Sequence, residues 1–164
     1  MEKVVICPGC GVKSNSVNNH LDEVFNASKA CRELMYQISY FTLSLQDDYF
    51  LHQLAVDAYA AQHQGNKTKP ISTAFGLIGL YLINERNFTG REVQLAHVAF
   101  ANKSKIWPQF SAPKEKNWLT VKDVVEGPEN EREASIKKWN NSVWDAWKIE
   151  HKKVATLTKK YLGI

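Results

Sequence analysis

Residues 29–63 read KACRELMYQISYFTLSLQDDYFLHQLAVDAYAAQH, and the architecture follows from them. Cys31, Leu34, Met35, Ile38, Phe41 and Leu45 recur at intervals that place side chains on one helical face, so a helix is expected from about Lys29 to Leu45. Gln46-Asp47-Asp48 interrupts it. A second helix is expected from about Tyr49 to His63, ended by Gly65. Leu51, Leu54, Ala55 and Ala58 make one face of it, and His52, Val56, Tyr59 and His63 an adjoining line. If the pair folds back tightly near Asp47, Cys31 lies sixteen residues before the turn and His63 sixteen after it, so the two are level. His52 lies roughly 16 Å along the helix from His63 at 1.5 Å per residue, too far for the two to share one ion easily.

Outward from this hairpin the pattern stays helical. Ser72 is a candidate cap for a third helix to about Asn84, which carries the run AFGLIGLYLI over residues 74–83. Its Gly76 and Gly79 allow close helix contact. Thr89 and Glu92 match a capping box that opens a fourth helix to about Asn102, with Val93, Ala96, His97 and Phe100 facing inward. Residues 104–119 read as a long ordered loop containing Trp107, Pro108, Pro113 and Trp118. Thr120 starts a short helix stopped by Gly127-Pro128. One last helix is expected from about Glu129 to Tyr161, on a stripe of Ile136, Trp139, Val143, Trp147, Val154, Leu157 and Tyr161. Upstream, residues 3–6 suit a short strand, Cys7-Pro8-Gly9-Cys10-Gly11 is turn chemistry, and 12–27 read as loop with one helical turn.

The expectation is a mostly α, single helical-bundle domain over residues 1–164, with an N-terminal zinc knuckle. Residues 1–28 form the knuckle and arm, 29–103 a four-helix core, 104–128 the Trp/Pro-rich loop and short helix, and 129–163 the C-terminal helix. A length of 164 residues with 44% hydrophobic and 23% charged side chains suits one such core and excludes a disordered chain.

Cys7-x-x-Cys10 supplies two thiolates that can share one tetrahedral ion, and Cys31 is a third. No fourth Cys exists, so the last ligand must be His, Asp or Glu. The helix register favours His63. His20, between the paired thiols and Cys31, and His52 stay open as alternatives. The predicted site is Cys7, Cys10, Cys31 and His63 around a structural zinc. The plainer reading makes the Cys small buried hydrophobes. A redox Cys-x-x-Cys needs a βαβ context that is missing here.

His52, His97 and His151 each fall on or beside an apolar face. Three inward imidazoles could bind a catalytic metal with one position left for water, and Tyr59 and Gln62 could orient them. This gives the enzymic alternative, a metal-dependent hydrolase. No His-x-x-x-His or Glu-x-x-His pair concentrates ligands, and no phosphate-binding or nucleophile-elbow motif occurs, so buried neutral His is the plainer reading. Asp57 lies about 140° around the helix from His52 and is set apart from that group.

The net charge of +4 is local: residues 1–130 balance, and 131–164 carry eight basic against four acidic side chains. A protein or nucleic-acid partner at this basic C-terminal helix is the leading expectation, in a non-catalytic role, against the plainer reading of a solvated face. Trp139, Trp144 and Trp147 lie at angles that do not let all three face one core; a partly exposed one could stack on bases, and the favoured reading is that it packs against the Trp107–Trp118 loop. The apolar run of ten residues is half a membrane span, and Met1–Cys10 lacks a secretory signal pattern, so a cytoplasmic protein is expected.

Three motifs together resemble a bacterial family of uncharacterised domains. They are Cys7–Gly11, Cys31-Arg-Glu-Leu-Met, and His52 through Tyr59-x-x-Gln62-His63, with a similar late Trp144-Asp-Ala-Trp147 segment near His151. The spacer from Cys10 to Cys31 is longer than in that pattern, and Gln64 stands where Pro is usual. The resemblance implies a helical fold and a metal, and no reaction.

Overall fold

A computed structural model describes residues 3–17, 21–103 and 106–164 of the chain. Among these residues the fold is mostly helical, as expected. Seven helices follow two small hairpins: β1 (Lys3–Ile6) pairs with β2 (Lys13–Ser16), and β3 (Leu21–Asp22) with β4 (Ala27–Ser28), both antiparallel. The helices are α1 (Lys29–Ser44), α2 (His52–Gln62), α3 (Pro70–Arg86), α4 (Gly90–Lys103), α5 (Val121–Glu126), α6 (Arg132–Ala146) and α7 (His151–Leu162). No helix of the described residues is long and apolar enough to cross a membrane.

The α1–α2 hairpin is antiparallel at both ends. Thr42 Oγ1 near the end of α1 lies 2.8 Å from His52 Nδ1 at the start of α2, and Cys31 meets His63 at the other end. Helix α2 is the hub, packed against α1, α3, α4 and α6. Small residues make this possible. Ala55, Ala58 and Ala61 are buried on α2, and a Cβ at Gly76 of α3 would lie 3.0 Å from the Asp57 carbonyl oxygen and 3.1 Å from the Ala61 nitrogen. The two backbones therefore meet as the glycines suggested.

Several boundaries differ from expectation. Pro70 at the first position, with its angle already helical, starts α3 two residues before Ser72. Residues 13–16 and 21–28 lie in hairpins rather than loop. The Cys7–Val12 turn, where the Cys7 N–H donates to the Val12 carbonyl at 2.8 Å, folds β2 onto β1. The Asp22 carboxylate, accepting from the Val24 and Phe25 N–H groups, turns β3 toward β4. The expected single last helix is broken into α6, a 3-10 turn at Lys148–Glu150, and α7. His151 Nε2 donates to the Trp144 carbonyl at 2.8 Å and its ring stacks on the Trp144 indole at 3.6 Å. A straight helix through these 33 residues would be roughly 50 Å long and would leave the domain. The break folds α7 onto α3 and α4 instead.

The three tryptophans are all buried, contrary to the helical-wheel expectation. Helix α6 packs against α2, α3 and α5 at once. Trp139 reaches α2, where its Nε1 donates to Gln62 Oε1 at 2.9 Å. Trp144 reaches α3, where its Nε1 donates to Glu85 Oε1 at 2.8 Å. Trp144 is thereby removed as a base-stacking side chain.

Asp57 is an unexpected buried acid, 2% exposed. Gln53 Nε2 donates to its Oδ1 at 3.0 Å, and its Oδ2 has no partner. That oxygen rests against Gly79, where a Cβ would come within 1.9 Å. Burial holds the carboxyl well above the ordinary value, and the Gln53 hydrogen bond offsets only part of this. A raised folded-state value means stability is complete below the unfolded value near 4 and falls as pH rises toward the folded one. Asp57→Asn should therefore be more stable than wild type at neutral pH. In urea titrations of the chain between pH 5.5 and 8, the gap should widen with pH by up to about 1.4 kcal/mol per unit. A constant gap would show that Asp57 is ionised in the fold.

Candidate metal centre

Three separate segments converge at the C-terminal end of α2, the hub. The Cys7–Gly11 turn closes the β1–β2 hairpin, with Gly11 at φ +83° and its N–H donating to the Cys7 carbonyl at 3.0 Å. Cys31 sits in the first turn of α1, where its N–H donates to the Ser28 hydroxyl at 3.2 Å. His63 follows the last residue of α2.

The structure brings Cys7, Cys10, Cys31 and His63 together, with one ligand atom from each and all four atoms within 4.8 Å of one another. Cys10 Sγ lies 3.6 Å from Cys31 Sγ, and His63 Nε2 lies 3.3 Å from Cys31 Sγ and 3.5 Å from Cys7 Sγ. Bonds of about 2.3 Å to sulfur and 2.0–2.1 Å to nitrogen give a tetrahedron with edges of about 3.5–3.8 Å. The cluster is close to that size. All four side chains are at most 3% exposed. The buried group could hold a metal ion. His20 lies outside the described residues, and His52 is at the far end of α2, as the register required.

The ring of His63 is aimed for ligation. Its Nδ1–H donates to the Tyr59 carbonyl at 2.6 Å, which leaves the Nε2 lone pair facing the sulfurs. The Tyr59 ring stacks on the imidazole at 3.9 Å. Gln62 anchors the same helix end: it accepts from Trp139, and its Nε2 donates to the Leu119 carbonyl at 2.8 Å. Tyr59 thus orients His63 rather than the other three imidazoles, and Gln62 holds the Trp139 indole rather than an imidazole.

Electrostatics show why a cation suits the cluster. Hydrogen bonds from Cys10 and then Cys31 pull the Cys7 thiol below its ordinary value, against burial and with help from His63. Cys10 is lowered by Cys31, but the Cys7 thiolate and burial outweigh this and push it up to about 12. Cys31 is raised, first by Cys10 and Cys7 and then by burial. These shifts make Cys7 the most readily ionised of the three thiols, and a cation held among them would favour the thiolate form of all three.

Sequence reasoning missed the supports of the knuckle. Trp118 Nε1 donates to the Cys10 carbonyl at 3.0 Å, and Lys116 Nζ donates to the Pro8 carbonyl at 2.7 Å. Both partners are 108 residues away, and no local pattern announces such a contact. Gly9 is a third support. A Cβ there would come within 2.5 Å of the His63 ring and 2.7 Å of the Asn26 carbonyl oxygen, so only glycine lets the knuckle seat on its ligand.

The three remaining described histidines do not gather. His52 pairs with Thr42. His97 Nε2 donates to the Phe75 carbonyl at 2.9 Å, its Nδ1 lies 3.4 Å from Gln53 Nε2, and burial lowers its pKa to about 4, against that carbonyl. His151 caps Trp144. Among the described residues they form no metal-holding group. The proposed hydrolase site is absent because each imidazole serves its own backbone or side-chain partner.

No curated protein and no solved structure gives a significant match to the chain. The model of DUF5946, a family of unknown function, matches residues 5–148, a span that holds all four residues of the cluster. The chain belongs to the DUF5946 family.

Proposed function

We propose that the chain is a non-catalytic module in which Cys7, Cys10, Cys31 and His63 hold one structural zinc ion, and which presents a basic face to an acidic protein segment. The observation that carries this reading is the closed set of four buried donors. Catalytic zinc keeps a position open for water, whereas four protein ligands sealed from solvent serve the fold. The donor set of three thiolates and one imidazole suits zinc among the common ions.

The partner surface is the outer side of α7. A groove of about 520 Å³ runs between Pro108, Ile149, Thr156 and Leu157, with Lys152, Lys153 and Lys160 along it and no acidic lining residue. Ile149 is 84% exposed. Apolar and cationic groups side by side match an acidic amphipathic peptide. The buried Trp144 takes away the stacking platform that favoured nucleic acid.

Native mass spectrometry of the full chain should count one zinc, and the cobalt-substituted form should show the bands of a tetrahedral thiolate site. A poly-glutamate peptide should bind more weakly as salt rises, and the pair Lys152→Glu and Lys160→Glu should abolish that binding while zinc stays. A folded chain free of metal overturns the first half of the proposal. Unchanged peptide binding in the double variant overturns the second.

A further inference from the structure

A cleft that has the candidate ligand His63 in its lining differs in chemistry from the α7 groove. It encloses about 450 Å³ between the β3–β4 turn, α1, α2 and the start of α3. This is within the range of small-molecule sites, roughly 300–1,000 Å³. Phe25, Met35 and Val56 supply apolar walls, and the Tyr59 ring forms a side that is shared with His63. Val24 and Phe25 stand at the cleft although they are 56% and 54% exposed, large apolar side chains left facing water.

One end of the cleft is polar. Lys69, Ser72 and Thr73 line it at the start of α3, beside Thr68, whose hydroxyl is bonded to Gly65. Lys69 makes none of the ion pairs among the described residues. No Asp or Glu lines the cleft. An apolar chamber with one cation outside those ion pairs, and Ser72 and Thr73 beside it, is complementary to a molecule with an apolar body and a single anionic head.

We infer that this cleft binds a small amphiphilic carboxylate, its carboxylate at Lys69 and Ser72 and its apolar chain against Met35, Val56 and Phe25. Lys69 supplies the charge-assisted hydrogen bond, which separates an acid from an alcohol of the same length. Burial of the chain supplies the affinity, and the exposed Phe25 and Val24 are the groups that a bound tail covers. The inference is independent of the α7 groove.

Decanoate and decanol are suitable probes, titrated by calorimetry into the full, zinc-loaded chain. Decanoate should bind one to one with a Kd below about 1 mM. Decanol should bind about tenfold more weakly, and Lys69→Glu should remove that preference. Val56→Trp, which fills the cleft from the α2 side, should abolish binding of both. Zinc content, measured alongside, must match wild type in each variant. Lys69→Ala serves as a second variant if Lys69→Glu does not keep its zinc. Absence of saturable decanoate binding overturns the site. Equal binding of decanoate and decanol, or a preference unmoved by either Lys69 variant, overturns the recognition of the anion.

Discussion

A Cys31→Ala variant should lose its zinc and a large part of its stability together. Cys31 is fully buried and lies within 3.6 Å of both Cys10 Sγ and His63 Nε2. Its loss leaves two thiols and an imidazole that do not complete a tetrahedron. Apparent zinc binding in small structural sites is worth about 10–16 kcal/mol. A whole domain is stable by only about 5–15 kcal/mol. Apart from the cluster, the N-terminal segment is held by a few hydrogen bonds from Trp118, Lys116 and Lys122. The β1–β2 hairpin buries Val5 and Val12 besides its cysteines, and an isolated two-stranded hairpin is marginal in water. The apparent Tm should fall by about 15 °C or more, and a chelator acting on wild type should reproduce the fall. Circular dichroism during chelation, with limited proteolysis to find the released segment, measures both. A chelated chain that melts where the zinc-loaded chain does would refute the structural role.

Trp139→Ala should be nearly as damaging, although the residue touches no ligand atom. Its side chain is completely buried between α6 and α2. Truncating a buried Trp costs about 3–5 kcal/mol through the cavity it leaves. The indole N–H is also the donor to Gln62 Oε1, so the variant strands a buried acceptor, at about 1–3 kcal/mol more. Gln62 is next to His63 in the chain, which makes the loss reach the metal. The variant should be at the edge of folding in urea titrations, and should yield zinc to a competing chelator sooner than wild type. Trp139→Phe keeps most of the volume and should recover most of the stability. Equal zinc retention in Trp139→Ala and wild type would separate the indole from the site.

The sequence made the hub of the fold legible and left its surroundings obscure, for physical reasons. Cys31 and His63 could be set level because helical rise is uniform and the turn between them short. The Cys-Pro-Gly-Cys-Gly turn was readable because its residue types serve few other purposes. The break after Ala146 was not readable. No Gly or Pro marks it, and it is made by His151 returning to the Trp144 carbonyl, a tertiary preference. Asp57 was misleading for a similar reason: acids are almost never buried alone, and only the missing side chain at Gly79 makes room for this one. Trp118 and Lys116, which brace the knuckle from 108 residues away, lie beyond any local pattern.

That long reach has a bearing on synthesis. Cys7 and Cys10 leave the ribosome first, and Cys31 and His63 complete the donor set while much of the chain is still unmade. The indole of Trp118 and the α6 helix that steadies Gln62 come only later. Contacts between such distant positions form slowly, because the intervening chain must be closed first. A nascent chain therefore passes through a stage with all four donors present and their braces absent, when thiols destined for burial are still open to oxidation.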